Sequence, residues 1–144
     1  MNFTNCTNRS NNVFEHLPLD MSNIIFKEES YKIIGLCMNI HTVLGMGLKE
    51  INYKDALEMD LEENNIHYER ERRFEVMYKG KIMRHPYYAD FILYNAIVIE
   101  IKSVSAIVDA HFAQAKSYLS VANMKLALIV NFGEPSLSFR RVLL

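Results

Sequence analysis

The chain has 144 residues, half of them hydrophobic and 23% charged, with 16 basic and 17 acidic side chains and a formal charge of −1. This length predicts one domain able to bury a core without staples, and the charge balance excludes capture of nucleic acid by bulk positive charge. Two cysteines, Cys6 and Cys37, exclude a disulfide framework and a Cys-rich zinc site.

Residues 1–22 read as a flexible polar tail ahead of one domain over residues 23–144. The first twelve hold five Asn and little to bury. The Asn-x-Ser/Thr triplets at Asn2, Asn5 and Asn8 follow no apolar signal core, so glycosylation is not expected. No apolar run approaches the ~18 residues of a membrane span. Together with reduced cysteines this predicts a cytoplasmic protein that does not engage membranes.

From Ile33 to Leu44 the apolar spacing is that of an amphipathic helix, begun by Ser30 or an earlier Ser or Asn and ended by a left-handed Gly45. A second helix is predicted over residues 49–63. Tyr53, Ala56, Leu57 and Leu61 fall on one side of it, and Asp55, Glu58, Asp60, Glu62 and Glu63 form a solvated acidic face. From Ile66 to Lys102 the period changes to two. Phe74, Val76 and Tyr78 alternate with polar neighbours, and Lys79-Gly80 is a turn signal. Tyr87–Leu93 and Ala96–Ile101 read as two more strands, with Tyr94-Asn95 as the reversal. Residues 109–123 return to helix, with Ala110, Ala113, Tyr118, Leu119 and Ala122 on one face. The continuous apolar run Leu126–Val130 predicts a strand buried on both faces, parallel to the strand before the helix. The expected fold is α/β: a mixed β-sheet flanked by helices.

Charged residues inside apolar strands are costly unless paired or bound to metal. Asp90, Glu100 and Lys102 are such residues. Glu100 and Lys102, two apart, share a side of the strand. With an odd loop centred on Asn95, Asp90 falls opposite Glu100, since each is five residues from Asn95. Facing Cβ atoms are about 4.5–5.5 Å apart, so the carboxylates repel unless a cation intervenes. Oxygen donors of this kind suit Mg²⁺ or Mn²⁺, and Lys102 is placed to hold a water or stabilise charge on a phosphate. Taken alone, D-x₉-E-x-K is short, and an exposed ion pair at a strand end reads as well. A hairpin followed by a helix is what raises it.

Gly47-x-x-Glu50-x-x-Tyr53, Asp90, Glu100-x-Lys102 and Asn131-Phe132-Gly133, in this order, resemble the GxxExxY protein family, within the PD-(D/E)XK nuclease-like superfamily. The resemblance runs from about Ile24 to the C-terminus. The proline of the superfamily signature is replaced: Ala89 precedes Asp90, and Pro86 lies four residues before it. The resemblance implies a restriction-endonuclease-like core, Asp90 and Glu100 as metal ligands, Lys102 as the active-site lysine, and Glu50 and Gln114 as further site residues. Glu50 sits in a first helical turn, where a carboxylate also complements the helix dipole, so both readings stand. Tyr53 reads as a packing residue with a hydrogen-bonded hydroxyl, and His111 as a surface or supporting residue.

Residues 69–85 hold six basic side chains against Glu69, Glu71 and Glu75, with aromatics interleaved. They read either as a phosphate-backbone track or as an ordinary solvated hairpin. The expected activity is Mg²⁺- or Mn²⁺-dependent hydrolysis of phosphodiesters in DNA, ahead of RNA. The low positive charge predicts weak capture, which a homo-oligomer or a recruiting protein partner would offset. The alternative is a non-catalytic module of the same fold that binds nucleic acid or protein.

Overall fold

The computed structural model describes residues 24–144. The expected tail, its Asn triplets and Cys6 lie outside the described residues.

Two helices open the fold: α1 (Lys27–Leu44) and α2 (Glu50–Glu63). Then come β1 (Tyr68–Phe74), β2 (Met77–Tyr78), β3 (Lys81–Ile82), β4 (Tyr87–Leu93), β5 (Ile97–Lys102), α3 (Asp109–Ala122), β6 (Leu126–Asn131) and β7 (Ser138–Leu143). Five strands form one sheet in the order β1-β4-β5-β6-β7, and β2 and β3 form a separate ribbon. Only β5 and β6 run parallel. The strand–helix–strand crossover predicted from the apolar run is therefore present.

Alternation along the strands sends side chains to two layers. Phe91, Leu93, Ile97, Ile99, Leu126 and Leu128 pack on the face covered by α1 and α2. Ile92, Val98, Ala127 and Ile129 pack on the other face with Ala115 and Leu119 of α3. All six residues of β6 are buried, as a strand covered on both sides requires.

Several expectations need correction. No Ser or Asn caps α1. The helix starts after a left-handed Phe26, and Glu28 and Glu29 complement its N-terminal dipole instead. Ser30 is buried inside the helix and accepts a 2.8 Å hydrogen bond from Arg141 Nη1. Val43 and Leu44 lie on the exposed side of the last turn of α1. On α3 the buried positions are Ala115 and Leu119, not Ala110 or Ala113. The alternating run through Phe74 and Tyr78 is broken: β1 stops at Phe74, and the Lys79-Gly80 turn closes a short ribbon whose strands are exposed. The acidic side of α2 is not purely solvated, because Asp55 and Glu58 pair with Arg70 at 2.8 and 3.5 Å. The antiparallel edge strand β7 had no expectation; its sequence alternates weakly and carries two arginines.

The α1–α2 joint follows the predicted chemistry. Gly45 has φ +67° and ψ −171°, a region essentially reserved for glycine. Its amide donates to His41 O at 2.8 Å, ending α1. The fully buried Tyr53 donates its hydroxyl to Gly45 O at 2.6 Å and accepts from Leu48 N at 3.2 Å. Its ring stacks on Phe132 at 4.3 Å. One tyrosine thus fixes the start of α2 against the loop that follows β6.

Candidate active site

The β4–β5 hairpin sets the position of the acids. Tyr94 and Asn95 both take left-handed φ, and Ala96 N donates to Leu93 O at 3.0 Å. Ala96 is the extra residue that makes the loop odd, so Leu93 pairs with Ile97 and Phe91 with Ile99. The next position along this register is Asp90 with Glu100. The backbone ladder stops one step before it. Instead, the Asp90 carboxylate crosses the gap: Oδ2 accepts the Ile101 amide at 2.7 Å. The two strands fork here, and the acids line the fork.

The repulsion expected between them is relieved from within the protein. Lys54 of α2 reaches Asp90 Oδ1 at 2.6 Å and Glu71 Oε1 at 2.9 Å. Burial draws the Lys54 ammonium down, but its hydrogen bonds to Asp90 and Glu71 hold it above the ordinary lysine value. Glu100 is 3% exposed, and its Oε1 is the only buried side-chain oxygen without a hydrogen-bond partner among the described residues. Burial, then the Asp90 charge, push its carboxyl up to about 8, against the opposing pull of Lys102 and Lys54.

Lys102 donates to Gln114 Oε1 at 3.1 Å, so α3 holds the lysine. Tyr118, one turn beyond Gln114, faces the same region. Burial, followed by the Glu100 and Asp90 charges, raises its hydroxyl to about 12. The Tyr118 ring lies 5.0 Å from that of Tyr87. Glu50 is the half-buried first residue of α2, one turn from Lys54 on the same face, and no hydrogen bond or ion pair joins it to the other residues. The structure therefore brings together Asp90, Glu100, Lys102 and Gln114, while Glu50 opens α2 two residues after Leu48, whose carbonyl accepts the Ser103 hydroxyl at 2.8 Å next to Lys102. His111 serves its own helix, accepting the Val108 amide on Nδ1 at 3.0 Å.

Sequence reasoning missed Lys54, Glu71 and Tyr118. Lys54 had a signal: it stands four residues after Glu50, a lone cation in the middle of an acidic helix. Glu71 and Tyr118 had none.

Behind the site, the buried Asn131 accepts from the Val104 and Gly133 amides at 3.0 Å and donates to Val104 O at 2.9 Å. Phe132 N donates to Lys102 O at 2.8 Å. A Cβ on Gly133 would lie 2.3 Å from Val104 backbone atoms, so only glycine fits this approach. The Asn-Phe-Gly motif thus clamps the end of β5 beside Lys102.

The donor set fits a hard divalent cation. Two carboxylates meet at the fork, one with a buried oxygen lacking any partner, and each carboxylate oxygen has two lone pairs. No cluster of three or more His, Cys, Asp or Glu side chains forms a metal cage among the described residues.

The pattern that describes the PD-(D/E)XK nuclease superfamily matches residues 27–142. The chain belongs to that superfamily. The fold is similar to the crystal structure of SSO0001, with a TM-score of 0.53 and 22% identity over 82% of this chain. The match covers 60% of that longer protein. No curated protein matches the chain. No helix among the described residues is long and apolar enough to cross a membrane.

Proposed function

We propose that this member of the PD-(D/E)XK superfamily is a GxxExxY-type, Mg²⁺- or Mn²⁺-dependent nuclease of the cytoplasm, hydrolysing phosphodiester bonds in DNA ahead of RNA. The observation that carries this reading is the forked hairpin, where Asp90 and the unpartnered Glu100 oxygen face the Lys102–Gln114 pair. The free, buried Cys37, whose thiol burial and Asp60 push up to about 12, is inert and suits a reducing compartment.

Asp90 and Glu100 would hold the cation. When bound, it supplies Lewis-acid polarisation of the scissile phosphate and a lowered pKa for a coordinated water. Gln114 holds the Lys102 ammonium toward the reacting phosphate, where its charge and N–H donors stabilise developing negative charge. Tyr118 is a further donor at the rim. Glu50, in the first turn of α2, would be a further acidic residue of the site, as the Leu48–Ser103 bond ties that end of the helix to the residue after Lys102. Weak capture by a chain of charge −1 is offset by a homo-oligomer or a recruiting protein partner.

The test joins Mn²⁺ titration calorimetry with a cleavage panel of single-stranded, double-stranded and branched DNA and RNA. The expected result is Mn²⁺ binding that Asp90→Ala removes, and cleavage that Lys102→Ala abolishes with the circular dichroism spectrum unchanged. Cleavage that survives Lys102→Ala identifies a contaminant and overturns the reading. The Lys54–Asp90 ion pair favours one alternative, a non-catalytic binding module whose lysine fills the cation's place. Absence of Mn²⁺ affinity would select it.

A further inference from the structure

The β2–β3 ribbon is absorbed by neither the core nor the site. It rises between Phe74 and Tyr87, which pair with each other at the end of the β1–β4 ladder. Tyr87 is three residues from Asp90, about 10 Å along a strand. The ribbon is therefore an arm rooted beside the carboxylates. Its turn is well specified: Lys79 and Gly80 have φ of +48° and +73°, both left-handed as a type I′ turn demands. Met83 N donates to Val76 O at 2.7 Å and closes the base.

The arm exposes apolar surface that a solvated hairpin would not carry. Met77, Tyr78, Ile82 and Met83 are between 49% and 64% exposed. The register pairs Met77 with Ile82 and Tyr78 with Lys81, so an aromatic ring and a cation share one face. Lys79 lies over the Tyr78 ring at 5.3 Å. Arg70, Arg72 and Arg73 are each paired with carboxylates, whereas Lys81 and Arg84 on the arm have no carboxylate partner among the described residues. The basic track read from the sequence thus divides: its arginines on β1 are neutralised, and its free charge sits on the arm.

We infer that the arm is a binding surface for unpaired nucleic-acid strands, with Tyr78 stacking on a base while Lys81 and Arg84 contact flanking phosphates. In a duplex both faces of every base are covered by neighbours, so an exposed tyrosine beside unpaired cations matches a single strand, whose bases offer free faces. The arm names the substrate class for the hydrolytic reading and rests on it for the direction of the strand toward Asp90. Binding itself does not require cleavage.

The test is fluorescence anisotropy of the whole protein with labelled oligothymidylate and with a duplex of equal length, in chelator. Tighter binding of the single strand is expected. Tyr78→Ala should weaken it about tenfold, and Lys81→Ala with Arg84→Ala should lower the slope of log affinity against log salt by about 1.4. Preference for the duplex, no binding of either, or single-strand binding unchanged in both variants overturns the inference. So does self-association of the wild type on sedimentation that both variants lose while strand binding stays intact, since the arm would then join copies of the chain. A wild-type protein that binds the single strand in chelator and never cuts it with Mn²⁺ sinks the hydrolytic reading alone and leaves the arm standing.

Discussion

Glu100 stores free energy in the wrong protonation state for a structural residue. Burial, then the Asp90 charge, push its carboxyl up to about 8 from the ordinary 4.5. A raised folded value contributes stability that is full below 4.5 and is lost as pH rises through 8. Without metal the protein is therefore expected to weaken between pH 5 and pH 9. Glu100→Gln should remove that slope and exceed wild type by about 1–3 kcal/mol at pH 9, because the neutral amide has no charge to bury beside Asp90, while losing Mn²⁺ affinity. Urea denaturation at the two pH values in chelator checks both signs. Lys54 carries the complementary prediction. Its side chain is 12% exposed and neutralises Asp90 at 13%. Lys54→Met leaves a buried carboxylate uncompensated and should cost about 3 kcal/mol in chelator. Saturating Mn²⁺ should restore much of the loss, because a bound cation replaces the missing ammonium. Thermal melts with and without Mn²⁺ read this directly; equal metal rescue in wild type and variant would argue against a shared position.

Among the elements, the fork between β4 and β5 depends on what lies behind it. The Gly133 approach to Val104 and the Asn131 bonds hold the end of β5, and Phe132 stacks on Tyr53 of α2. Helix, strand and loop meet at one ring pair, so the glycine-rich joint and the distant Asn-Phe-Gly are parts of one support. Gly133→Ala should destabilise by about 3 kcal/mol, since the backbone itself must move rather than a side chain. Mn²⁺ affinity should fall with it, because Lys102 and Glu100 ride on the displaced strand. A variant with unchanged denaturation midpoint would show that the loop yields without cost.

For the whole molecule, the sheet is asymmetric in its protection. β6 is buried along its length and flanked by β5 and β7. β7 is tied to α1 by Arg141, which donates to Ser30 Oγ at 2.8 Å and to Ile25 O at 2.7 Å. Ending the chain at residue 136 would remove β7 and expose the edge of the most apolar strand, a template for aggregation. The truncated protein is expected to shift toward the insoluble fraction relative to the full chain; a truncated product that partitions like the full chain and unfolds cooperatively would show that β7 is dispensable. This last strand was also the element least visible in the sequence, since its alternation is interrupted by Arg140 and Arg141.

Helices α2 and α3, the Gly45 stop, the apolar β6 and the Asp90–Glu100 register were all legible from residue spacing, because periodicity and turn parity are local properties. Even the resemblance that pointed to Lys102 and Gln114 rested on residues read in order along the chain. Tertiary structure alone decided that Lys54 neutralises Asp90, that Glu71 joins it and that Tyr118 overlooks the acids. It also decided that Arg70 is taken by α2 while, among the described residues, Lys81 and Arg84 of the arm meet no carboxylate. The reason is physical: spacing sets which side of an element a charge occupies, whereas its partner and protonation state follow from distances and burial between elements far apart in sequence.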